Sequence, residues 1–146
     1  MRWVTRRNAN VDRVACPWLI RRFVDPQAEF VFVPRDTDPA TITDGIPYDM
    51  AGVEFGHVDG RCSFESILVK HGLTSDPALA LLGRIVHGAD IPADLGVSPP
   101  EAHGLRAIAY GFASLHGDGD HEKIRLESPM YDALYAWCRE QTIGVA

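Results

Sequence analysis

The spacing of apolar positions changes several times along the chain, and each change marks an element. Trp3-Val4-Thr5 reads as a short opening strand. From Val11 the apolar residues Val11, Val14, Ala15, Trp18 and Leu19 recur at helical spacing. Pro17 interrupts that run, so the main helix is predicted from Pro17 to about Val24, with proline in its first position and Cys16 at its entry. Glu29 to Pro34 is β-branched and aromatic between proline boundaries, which predicts a strand and completes a βαβ-like unit. Residues 35–47, rich in Asp, Thr and Pro, read as a surface loop.

Asp59-Gly60 is a strong two-residue hairpin signal. Such a turn pairs Val58 with Arg61 and sets His57 opposite Cys62 on one face. Ser63 then caps a short helix from Phe64 to His71, stopped by Gly72. Asp76-Pro77 opens a helix that is apolar almost all round (Leu79, Leu82, Ile85, Val86), hence central, and Gly88 is expected to end it. Pro100 opens another, with Leu105, Ile108, Ala109, Phe112 and Leu115 predicted inward. After the loop His116 to Asp120, Asp120 caps His121 to Glu127, and Ser128-Pro129 starts a last helix with Met130, Leu134, Trp137 and Cys138 inward. The fold class is α+β: a small sheet with an N-terminal βαβ-like unit packed against four or five helices. With no repeat or linker, residues 1–146 read as one domain.

Composition narrows the function. The chain has 146 residues, 46% apolar and 23% charged, which suits an ordinary globular domain. No apolar run is long enough to span a bilayer and no secretory h-region follows the first charges. Three widely spaced cysteines suit a reduced, cytoplasmic setting better than a disulfide scaffold. The net charge of −6 hides a basic start, where Arg2, Arg6, Arg7, Arg13, Arg21 and Arg22 face one acid, Asp12. A nucleic-acid face is not expected at a pI near 5.4. Arginine's planar fork points instead to a local anion site or internal ion pairs.

Several groups could carry chemistry. The cross-strand pair His57 and Cys62 offers two corners of a transition-metal site, against the alternative of a satisfied histidine beside a small buried cysteine. Glu54 joins His57 only if a bulge intervenes at Gly56. The segment His116, Asp118, Asp120, His121 and Glu122 is dense in ligand types, although a helix cap accounts for it as well. Asp90 sits where a helix leaves the core. Cys16, at a helix entry among arginines, is the candidate reactive thiol, with a plain buried cysteine as the alternative. Arg22 shares a face with Trp18 and, if desolvated, needs a carboxylate or anion. Gly-rich phosphate loops, nucleophile elbows and paired Cys-x-x-Cys motifs are missing.

The run Val11-Asp-Arg-Val-Ala-Cys-Pro-Trp-Leu-Ile-Arg-Arg-Phe-Val-Asp-Pro-Gln-Ala-Glu-Phe30 resembles the opening of the C-terminal domain of the ChrB chromate-resistance family. Glu54-Phe-Gly-His57, Cys62-Ser-Phe-Glu65, Ile85-Val-His-Gly-Ala-Asp90 and Tyr131 to Arg139 extend the resemblance over nearly the whole chain. In that family the domain follows the N-terminal part of a chromate-responsive regulator or is fused to a rhodanese-like domain. Here residue 1 opens the domain itself, so a DNA-binding role is not expected of this chain. His87 stands where the resemblance leads one to expect arginine, which would make an oxyanion contact there pH-dependent. The resemblance adds weight to Arg13, Cys16, Arg22, Glu54, His57, Cys62, Asp90 and His121.

It implies a divalent or trivalent transition metal ion held by Glu54, His57, Asp90 and His121, with Arg13 and Arg22 as anion or structural partners, serving chromate or metal sensing or detoxification. Whether Cys62 and Glu65 join is left open. Two alternatives stand beside it. One is a small metal-dependent enzyme, redox or hydrolytic; the other is an interaction module for a homo-oligomer or a separate regulatory or rhodanese-like partner.

Overall fold

The computed structural model describes residues 1–143. Strand β1 (Arg2–Arg6) is the middle of a three-stranded, all-parallel sheet, flanked by β2 (Glu29–Val33) and β3 (Ile46–Pro47). Trp3 pairs with Phe30 on one side and Ile46 on the other. Between β1 and β2 runs helix α1 (Asp12–Leu19), continued by a π-helical turn, Ile20–Val24. The expected βαβ unit is therefore present, and α+β is the class observed. The segment 35–47, expected to be loop, also holds a 3₁₀ turn and β3.

Helix α1 begins five residues before Pro17, which lies inside it. Proline removes the bond its N–H would give to the Arg13 carbonyl. The helix survives because all but one of its residues, from Asp12 to Leu19, are buried. Tertiary packing outweighs the local penalty. Helix α2 (Ser63–Lys70) starts one residue earlier than expected, and Cys62, not Ser63, is its cap residue: its side chain receives the Glu65 N–H, and Glu65 receives the Cys62 N–H at 3.1 Å. Val58 and Arg61 bridge across Asp59 and Gly60, whose φ values of 52° and 77° match a primed hairpin turn.

Helix α3 (Pro77–Asp90) is central, with Leu79, Leu82, Ile85 and Val86 fully enclosed by α2, α4 (Glu101–His116) and α5 (Asp120–Thr142). Gly88 does not end it. A Cβ there would lie 2.4 Å from the Ser98 Cβ and 2.8 Å from the Ala102 Cβ, so glycine permits close packing of the following segment. On α4, Ala102, Leu105 and Ala109 are buried, whereas Ile108 and Leu115, expected inward, face solvent. The core meets one side of that helix, and its apolar residues extend beyond the covered stripe.

The two predicted C-terminal helices are one, α5, of 23 residues with Pro129 inside. Ile124, Glu127, Tyr131 and Cys138 pack both halves inward, with α5 lying against α1 and α3. At its start Asp120 does not cap its own helix. Its carboxylate accepts the N–H groups of Asn8 (3.1 Å) and Ala9 (2.7 Å), and the buried Lys123 ammonium donates to the carbonyls of Ala9 (2.6 Å) and Gly117 (2.7 Å). No described helix is long and apolar enough to cross a membrane.

Two stability measurements follow from this packing. In urea unfolding, Gly88→Ala should lower stability by about 2 kcal/mol through overpacking. Gly104→Ala, on α4 with open space beside it, should raise it by about 0.5–1 kcal/mol through helix propensity. The buried Glu127 has one carboxyl oxygen without a hydrogen-bond partner, and burial, opposed by Lys123, pushes its pKa from 4.5 to about 7. Between those values the unfolded chain carries the charge and the folded one does not, so Glu127 costs increasing stability as pH rises through that window and a constant amount above it. Glu127→Gln should therefore be neutral at pH 4 and stabilise by about 2–3 kcal/mol at pH 8.

Candidate functional site

The site starts from Asp12, the first residue of α1 and fully buried. Its carboxylate turns away from its own helix to the start of α2. There Oδ2 accepts the Ser63 N–H (2.7 Å) and Oδ1 the Phe64 N–H (2.9 Å). An anion is favoured at those unsatisfied donors. Just before Asp12, Val11 has φ 29°, a conformation β-branched residues avoid. Such strain is held by surrounding structure and clusters at functional sites.

Asp49 follows β3 in a left-handed conformation, φ 48°. Its Oδ1 accepts the Ser63 hydroxyl at 2.7 Å and its Oδ2 meets Arg13 Nε at 2.8 Å. Asp90 is the last residue of α3. His57, at the foot of the Asp59-Gly60 turn and half exposed, covers all three acids. Its Nε2 lies 3.1 Å from Asp90 Oδ2, 3.6 Å from Asp12 Oδ2 and 3.7 Å from Asp49 Oδ1. Beside it is a cavity of about 270 Å³ lined by Arg13, Asp49, Met50, Ala51, Gly52 and His57.

Charge is crowded here. Desolvation and then the neighbouring Asp12 push both Asp49 and Asp90 upward, only partly opposed by Arg13 at Asp49 and by His57 at both. The Asp12 carboxylate, helped by Asp90 and Asp49, draws His57 up to about 9 against its loss of hydration. Three carboxylates thus converge on one imidazole with one guanidinium beside them, one acid more than the bases present. Asp12, Asp49 and His57 present ligand atoms within 4.8 Å of one another. An oxygen-rich set with one imidazole fits a hard or borderline cation.

Of the residues expected as ligands, the structure brings His57 and Asp90 together and separates the other two. Glu54 is exposed in a turn and pairs with Lys70 at 2.9 Å, away from the His57 cluster. His121 sits edge-on to Phe32, ring centroids 5.1 Å apart, over a different hollow with Arg7 and Asp118. The expected His57–Cys62 pair also divides. Past the turn the chain enters α2 directly, and Cys62 falls beside Glu65 and His87 instead.

Cys16 is fully buried, donates to Asp12 Oδ1 at 3.5 Å, and has its thiol pushed well up by burial and then by Asp12. The lowered pKa expected of a helix entry is corrected: α1 starts at Asp12, which places Cys16 in the second turn beside an anion. Arg13 joins the site. Arg22 does not, since its fork holds Asp132 through Nε (3.0 Å) and Nη2 (2.9 Å), and Trp18 Nε1 donates to the same carboxylate at 2.7 Å. Asp12 and Asp49 were not among the expected ligands. Asp12 lay within the family-like opening run and was the one acid among the six arginines of the first 22 residues, a signal that could have found it; Asp49, in an irregular segment, gave none.

Residues 3–138 match the family model described as "ChrB, C-terminal domain". A relative, Protein ChrB of Cupriavidus metallidurans, is 41% identical over 109 residues, covering 75% of this chain and 32% of that protein, so the chain spans about a third of its relative's length. No solved structure matches. The match takes in every residue of the site, and the chain belongs to the ChrB C-terminal domain family.

Proposed function

We propose that this domain binds a divalent or trivalent transition-metal cation through Asp12, Asp49, His57 and Asp90, and that binding serves chromate or metal sensing or detoxification in the cytoplasm. One observation carries the reading: three carboxylates from three separate segments meet at a single imidazole beside an open cavity. A purely structural arrangement needs one acid per base, whereas this cluster holds three acids to two bases, His57 and Arg13. A surplus of buried acid is expensive unless a cation arrives to neutralise it. Asp12 and Asp49 are already oriented by hydrogen bonds to α2, which is the supporting shell a metal site needs. The chromate association comes from the family, whose regulatory members carry further segments.

Arg13 favours a second reading of the same cavity, an oxyanion site. Its Nε is held by Asp49 and its side chain borders the cavity with His57. Cation and oxyanion are compatible there, with the anion completing the metal's coordination on the cavity side.

Metal content of tag-free protein, followed by titration calorimetry with Mn²⁺, which prefers oxygen-rich ligand sets, tests the first reading. One equivalent should bind, and His57→Ala and Asp90→Asn should weaken binding by at least about tenfold while the circular dichroism is kept. No binding, or binding that His57→Ala leaves unchanged, would remove the reading. Titration with chromate and sulfate, with and without metal, checks the second: binding should disappear in Arg13→Ala and persist in Arg22→Ala.

A further inference from the structure

The start of α2 carries a second group of ligand atoms, on residues that the first site does not use. Cys62 Sγ, a Glu65 carboxylate oxygen and a His87 ring nitrogen lie within 4.8 Å of one another. Cys62 and Glu65 are the cap residue and first turn of α2, and His87 is in the last turn of α3. Cys62 is fully buried, whereas Glu65 and His87 are partly exposed to a cavity of about 350 Å³ that Arg84, Asp94 and Ser98 also line.

The two nitrogens of His87 have different partners. Nε2 lies 2.6 Å from Asp94 Oδ2, and Nδ1 lies 2.5 Å from Glu65 Oε1. Each ring nitrogen thus faces a carboxylate oxygen across a hydrogen bond, and a metal ion taking the place of the proton between Nδ1 and Glu65 would leave the Nε2–H donated to Asp94. That is the arrangement of a metal-bound histidine, where a carboxylate behind the ring fixes its tautomer and orientation.

We propose that Cys62, Glu65 and His87 form a second metal site, for a borderline divalent cation of the Zn²⁺, Co²⁺ or Ni²⁺ class, with Asp94 as positioning residue. The donor set is one sulfur, one nitrogen and one oxygen, which separates it from the oxygen-rich first site and selects a softer ion. Three protein ligands leave a fourth tetrahedral position, which opens on the cavity and takes water or a small anion. Binding replaces the Cys62 thiol proton and the proton shared between His87 Nδ1 and Glu65, both of which leave to solvent. The capping bond that Glu65 Oε1 accepts from the Cys62 N–H holds these two ligands in register before any ion arrives.

The same contacts fit a simpler arrangement, a cationic His87 clamped between Glu65 and Asp94 with no thiolate involved. Co²⁺ titration of the whole protein separates the two, because only a cobalt–thiolate bond gives the sulfur-to-metal charge-transfer absorption. The proposal expects that band at one equivalent. It expects the band to vanish in Cys62→Ser, and Co²⁺ affinity to fall by about 10–100-fold in His87→Gln and about tenfold in Asp94→Asn. Cys16→Ser, Cys138→Ser and His57→Ala should keep the band, the last showing independence from the first site. A band absent at saturating Co²⁺, or one that survives Cys62→Ser, overturns the site. Should Cys62→Ser fail to fold, an unchanged band and affinity in His87→Gln overturns it equally.

Discussion

The carboxylate of Asp12 holds the arrangement together. It is fully buried, belongs to α1 and spends both oxygens on the first two N–H groups of α2. Removing such an acceptor would leave buried donors unsatisfied, at about 1–3 kcal/mol for each. This one contact sets where α2 begins relative to α1. It thereby fixes Ser63, which holds Asp49, and Cys62 with Glu65 on the next positions. The strained Val11 backbone directly before it is consistent with a carboxylate held in place by its surroundings and not by its own helix.

Two helix ends then face each other. The positive start of α2 draws in Asp12, Asp49 and Glu65, and the last turn of α3 contributes His87 and Asp90. His57 and Asp90 belong to one group, and His87 and Cys62 to the other. Donor chemistry divides accordingly, oxygen-rich on one flank of α2 and sulfur-containing on the other. Elsewhere paired charge is structural. Asp120 and Lys123 satisfy the backbone between β1 and α1, and Arg22 with Asp132 fastens the π-helical turn to α5. These pairs match one acid to one base, whereas the cluster under His57 holds more acids than bases.

Much of the fold was legible along the chain. The βαβ start follows from the apolar period and its boundaries, and α3 is central because it is apolar all round. The Asp59-Gly60 turn forms because those two residues tolerate positive φ. Reading failed at proline and glycine. By local rules Pro17 and Pro129 start helices and Gly88 ends one, yet all three lie inside helices. Their local cost is a few kcal/mol, and burial of neighbouring side chains outweighs it. Local rules cannot see that term.

The site divides the same way. Sequence alone determined which residue types were available, that His57 lies beside a tight turn, and that Asp90 lies at the end of the central helix; the family followed from long runs of matched residues. Only the tertiary structure decided which of these meet. Spacing along a strand or helix carries side-chain direction over a few residues, so it can place His57 near Cys62 but not His57 near Asp12, Asp49 and Asp90, which are 45, 8 and 33 positions away. Those distances are closed by the docking of α1, α2 and α3. The docking depends on burial and on a carboxylate reaching another helix's free N–H groups, and neither is written in any local pattern.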